Sequence, residues 1–97
     1  MDYLELYKSV IRELKPELER RFAVRSIGLF GSLVRKDFLS SKSDIDIIVD
    51  FSYPVGVEFI DLADFLEFQL KRKVDLVSRD GIKPHYFRQI ESEIVYV

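Results

Sequence analysis

Ninety-seven residues, 47% apolar and 33% charged, suit one folded domain of 1–97 and exclude a disordered tail, which could not bury enough surface to offset its chain entropy. A net charge of −2 leaves no basic footprint for a long phosphate backbone, so no direct nucleic-acid partner is expected. The absence of cysteine removes disulfides, thiolate metal sites and a cysteine nucleophile; with no basic-then-apolar leader and no apolar run of about 20 residues, a cytoplasmic protein without a membrane partner is expected.

In chain order, Leu4, Tyr7, Ile11, Leu14 and Leu18 recur at three-to-four spacing and predict a helix over 2–14. Asp2 is placed to cap it, with Glu5 as capping-box partner. Pro16 has no N–H to give and clashes with the carbonyl four residues back. A break is therefore expected near 14–15, with a second helical piece from Pro16 to about Arg21. Residues 24–30 read as a strand running into Gly31-Ser32, 32–36 as one helical turn and the serine-rich 37–43 as a surface loop. A second strand is expected over 44–51. Side chains alternate along a strand, so Ile45, Ile47 and Val49 share one face and Asp44, Asp46 and Ile48 the other.

After a loop at 52–56, residues 57–72 carry the strongest helical stripe, made by Phe59, Leu62, Ala63, Leu66 and Leu70. Phe68 falls on the opposite side, with Phe65 and Ile60 toward the flanks, and Phe65 and Phe68 are read as part of a protein-contact surface. Small domains with outward aromatics often pair, which keeps a homodimer open. Residues 73–78 read as a third strand carrying Asp75. Pro84 starts a last helix to about Glu93, with Tyr86, Phe87 and Ile90 inward, and 94–97 is expected to pair on a sheet edge or dock loosely. The expected fold is α/β, a small mixed sheet flanked by helices.

The chemistry concentrates in two places. Residues i and i+2 of a strand point the same way, about 6.5–7 Å apart, so Asp44 and Asp46 could share one or two divalent ions. Mg²⁺ suits such a pair, because it favours carboxylates together with substrate phosphate oxygens. The alternative is a solvated strand face. Gly31 and Ser32 could turn backbone N–H groups and a hydroxyl toward an anion, or could form an ordinary strand exit with Ser32 as helix cap. Asp75 stands between Val74 and Leu76, where an unpaired charge is costly; it is either a third carboxylate of the site or an edge-strand partner of Lys73 or Arg72. Arg35 could touch a nucleotide or pair with Asp37 or Asp50. Lys36, Lys42 and Lys83 read as solvated, His85 as a surface or capping residue. Tyr53, Tyr86 and Tyr96 could stack on a base or simply pack.

The order of these features resembles the minimal nucleotidyltransferases (MNT), small members of the superfamily that contains DNA polymerase beta. The resemblance is carried by Phe30-Gly31-Ser32, Arg35, Asp37, Ser43-Asp44-Ile45-Asp46-Ile47-Ile48-Val49 and Lys73-Val74-Asp75-Leu76-Val77, and covers nearly the whole chain. It implies the nucleotidyltransferase fold. It implies that Gly31, Ser32 and Arg35 hold a nucleoside triphosphate, and that Asp44, Asp46 and Asp75 bind Mg²⁺, with Asp75 also activating an acceptor hydroxyl. The implied reaction is attack of that hydroxyl on the α-phosphorus of ATP. The implied role is that of an antitoxin beside a HEPN-domain toxin, whose tyrosine is the implied acceptor. One residue departs from the pattern: Lys36 stands where the family usually has Gly, which bears on the loop geometry. The other reading is a non-catalytic antitoxin or nucleotide-binding module that neutralises its partner by contact.

Overall fold

A computed structural model of the chain describes residues 2–97. Helix α1 covers Tyr3–Phe22 without a break, contrary to the expected interruption before Pro16. Tyr7, Ile11, Leu18 and Phe22 lie on both sides of that proline along one buried face. A proline inside a helix costs about 3 kcal/mol, while burying residues such as Leu18 and Phe22 contributes about 1.5–3 kcal/mol each, so tertiary packing carries the helix through. The Asp2 carboxylate accepts the Glu5 N–H at 3.2 Å, as a cap should, while the Glu5 side chain pairs with Lys8 at 3.5 Å.

Strand β1 is Val24–Phe30, and a short helix α2, Ser32–Arg35, follows it directly. Strand β2 is Ile45–Phe51, so Asp44 stands just ahead of the strand that was expected to include it. Helix α3, Glu58–Leu70, crosses over to strand β3, Val74–Ser78, the connection that a parallel pair requires. Helix α4, Pro84–Ile90, is shorter than expected; a 3-10 turn, Glu91–Glu93, replaces its end and leads into strand β4, Val95–Tyr96. The C-terminal residues do pair on a sheet edge.

The sheet is mixed, in the order β3-β2-β1-β4. β1 is antiparallel to β2 and to β4, and β2 is parallel to β3. Ile27, Leu29, Ile45, Ile47 and Val49 fill one face beneath α1 and α3, joined by Leu62 and Leu66. Phe30 and Ile48 fill the other face against Ile82 and Ile90. Being central, β2 is apolar on both faces, which accounts for the run Ile47-Ile48-Val49. Gly28 lets the C-terminal segment lie close, since a Cβ there would stand 2.7 Å from Ile94 Cγ2.

Candidate active site

The sheet's register decides what meets at its end. Phe30, the last residue of β1, pairs with Asp46, and Asp46 pairs with Asp75 across the parallel ladder. The exit of β1 and the entries of β2 and β3 therefore share one edge, and Gly31-Ser32, Asp44, Asp46 and Asp75 gather there.

Gly31 is the N-cap of α2, at a positive φ of 76° with ψ −150°, a backbone conformation that favours glycine. A Cβ on it would lie 2.0 Å from Asp46 Oδ2, so the Asp46 carboxylate rests against the bare Cα and only glycine fits. Ser32 is thus the first residue of the helix and not its cap, which removes that structural reading of it. The Lys36 N–H donates to the Ser32 carbonyl, as does the Asp37 N–H at 3.1 Å. Lys36 adopts φ 69°, so a lysine takes the left-handed position that suits glycine and closes the turn regardless.

Asp46 is half-buried. Burial pushes its carboxyl up to about 6, and the neighbouring charges of Asp75 and Asp44 push in the same direction, against a smaller opposing pull from Arg35. Asp75 is exposed, contrary to the apolar setting expected for it, because β3 is the sheet's edge strand. Its sequence neighbour Arg72 is engaged elsewhere: it donates to the Tyr7 hydroxyl at 3.0 Å and to the Ser40 carbonyl, and lies over the Phe38 ring at 5.1 Å. Among the described residues no ion pair involves Asp44, Asp46 or Asp75.

The donor set fits a divalent cation in the manner of Mg²⁺. Asp46 carries a charge that burial and two like neighbours disfavour, and among the described residues no cationic side chain forms an ion pair with it. Among the described residues no three His, Cys, Asp or Glu groups form a ready cage. Mg²⁺ seldom uses one; it takes one or two carboxylates and completes its shell with water and substrate phosphate.

Arg35 pairs with neither Asp37 nor Asp50. Asp50 is held by Arg25, and Arg35 reaches Glu93 at 3.1 and 3.3 Å. The same Glu93 carboxylate accepts the Gly31 N–H at 2.6 Å. Glu93 carried no signal in the sequence, since it lies 62 residues from Gly31. Tyr86 is 43% exposed and not inward. Partial burial raises its hydroxyl pKa, with further contributions from Asp46, Asp75 and Glu93, so the ring belongs to this edge of the sheet. Tyr53 lines a cleft near the opposite ends of β2 and β3 that contains none of Gly31, Ser32, Arg35, Asp44, Asp46 and Asp75. Tyr96 sits by Ser26 and Asp50. Of the three tyrosines that could stack on a base, Tyr86 is the one near the carboxylates. His85 contacts Gln89 at 3.2 Å on the exposed side of α4.

A family model described as a nucleotidyltransferase domain matches residues 11–97. The protein adenylyltransferase MntA of Thermococcus cleftensis is 42% identical over 95 residues, covering 97% of this chain and 95% of that protein. A solved structure provisionally described as a minimal nucleotidyltransferase superposes with a TM-score of 0.78 at 29% identity, covering 95% of this chain and 93% of the other. A crystal structure of a toxin–antitoxin with AMP-PNP gives a TM-score of 0.71 at 25% identity, covering 87% of this chain and 69% of the other.

Proposed function

The chain belongs to the nucleotidyltransferase domain family, and from that premise we propose that it transfers AMP from ATP, with Mg²⁺, to a tyrosine hydroxyl of a HEPN-domain toxin and so acts as its antitoxin. The observation that carries this reading is the register of Asp46 with Asp75, set against Gly31 at one edge of the sheet. The adenylyltransferase relative supports the donor, and the toxin–antitoxin with AMP-PNP supports both a nucleotide and a protein partner.

Gly31, Ser32 and Arg35 bind the triphosphate in this proposal. That Gly31 and Arg35 already grip a carboxylate supports an anion-binding role for them. Asp44, Asp46 and Asp75 would hold Mg²⁺ with phosphate oxygens. When bound, such an ion neutralises charge growing on the leaving group. Asp75, the exposed carboxylate at the sheet edge, faces the acceptor and takes the proton of its hydroxyl. The hydroxyl oxygen bonds to the α-phosphorus, the bond to the β-phosphate oxygen breaks, and pyrophosphate leaves. Holding both reactants in line supplies much of the rate. The whole chain, 1–97, works as one domain in the cytoplasm. Among the described residues no helix is long and apolar enough to cross a membrane.

The contact-only reading draws on the outward apolar side of α3, where Ile60 is 61% and Phe68 77% exposed. One experiment separates the two. The protein is incubated with ATP labelled at the α-phosphate, Mg²⁺ and a HEPN-domain toxin, beside an Asp44→Asn, Asp46→Asn variant. The expected result is label on the toxin, lost in the variant and on chelation of the metal. Label that persists in the variant overturns the metal assignment; tight toxin binding with no label in any form supports neutralisation by contact.

A further inference from the structure

Glu93 lies outside the motifs, yet its carboxylate holds two groups assigned to the nucleotide. It accepts the Gly31 N–H at 2.6 Å and the Arg35 guanidinium at 3.1 and 3.3 Å, and its own side chain is only 20% exposed. Charge-assisted bonds to a backbone N–H and a guanidinium are what a phosphate oxygen would make in the same place. A peptide N–H carries one hydrogen, so Glu93 and a phosphate cannot both hold it in full.

We propose that Glu93 is an internal competitor for the nucleotide's phosphates, occupying the Gly31–Arg35 anion seat until the triphosphate displaces it. The inference rests on reading Gly31 and Arg35 as phosphate contacts. Its consequence lies at the C-terminus. Glu93 closes the 3-10 turn Glu91–Glu93, and β4 follows two residues later, joined to β1 through Gly28 and Leu29. Between them Ile94 lies against Gly28. Displacing Glu93 therefore loosens the link between the site and residues 91–96, so nucleotide occupancy is transmitted to a surface segment away from the carboxylates. A ligand that must displace an internal group binds with an affinity lowered by the fraction of open sites, and removing that group restores it.

The test is calorimetric binding of AMP-PNP with Mg²⁺, which avoids turnover, to the native protein and to Glu93→Gln. Glu93→Ala is a second variant, and Glu91→Gln on the same turn controls for a general loss of negative charge. Competition predicts that Glu93→Gln binds about fivefold or more tightly and Glu91→Gln does not. It also predicts faster hydrogen exchange over residues 91–96 when AMP-PNP binds the native protein. Equal or weaker binding by Glu93→Gln, or equal tightening by Glu91→Gln, overturns the competitor while leaving the nucleotide site standing. Failure of every form to bind AMP-PNP overturns both.

Discussion

Asp46 shows how a single residue carries conflicting demands. It rests against Gly31, faces Asp75 in register and has its carboxyl pushed up to about 6 by burial first and by neighbouring carboxylates second. With the folded value above the unfolded one, the native state binds the extra proton, so this group's contribution to stability is fully present below about pH 4 and is lost as pH rises through about 6. A shift of this size corresponds to about 3 kcal/mol if fully buried, but the group is half in solvent, and about 1 kcal/mol is the fitting magnitude. Asp46→Asn is therefore expected to raise unfolding free energy by about 1 kcal/mol at pH 7.5 and by little at pH 4, while abolishing AMP transfer. Denaturant melts at the two pH values check this, and an equal effect at both would remove the electrostatic account. A cation bound there would relieve the same repulsion, so the site is unfavourable for the empty fold in the way that suits metal binding. Gly31 was legible from its residue type, since glycine before a short helix invites a close approach. That the approaching atom is Asp46 Oδ2 was not, because it depends on the pairing of β1 with β2.

The helices follow local rules until packing overrides them. α1 passes through Pro16 because the buried face on either side outweighs one missing hydrogen bond. Helices α1, α2 and α3 end on non-glycine residues in the left-handed region, Ala23, Lys36 and Lys71, at φ 57°, 69° and 55°. Left-handed backbone costs an L-residue about 1–2 kcal/mol, part of which a glycine returns as greater freedom when unfolded. Lys36→Gly is thus expected to stabilise the protein by about 0.5–1 kcal/mol with the Ser32 carbonyl still capped. Thermal unfolding measures this, and a loss of stability would mean that the lysine makes a compensating contact. The departure at Lys36 leaves the hydrogen bonds of the loop intact, an outcome the residue type could not indicate.

At the scale of the molecule, the order β3-β2-β1-β4 sets which faces are covered and which are open. One side of the sheet is roofed by α1 and α3; beyond them the outer side of α3 stays bare. Phe65, expected to share in a contact surface, is half-buried against Phe22 at 5.1 Å and near Arg21, and lines a surface groove with Phe68. Phe68 is 77% exposed and is the residue to test. Phe68→Ser should leave melting unchanged within about 0.5 kcal/mol, since it removes no buried surface. It should weaken association with the proposed toxin partner or with a second copy of the chain in sizing experiments. Unchanged association in both would take α3 out of the interface.

The sequence by itself determined the strands, the helical stripes and the candidate carboxylates, because alternation along a strand and three-to-four spacing on a helix are local properties. Gly-Ser, Asp44-x-Asp46 and Asp75 were legible as residue types in order along the chain. Tertiary structure alone decided that Asp75 is exposed on an edge strand, that Arg35 turns to Glu93, that Tyr86 joins the site and that Pro16 is carried inside a helix. Each of those outcomes depends on which distant segments are brought into contact, and such contacts are selected by burial summed over the whole core, a quantity that no short window of residues contains.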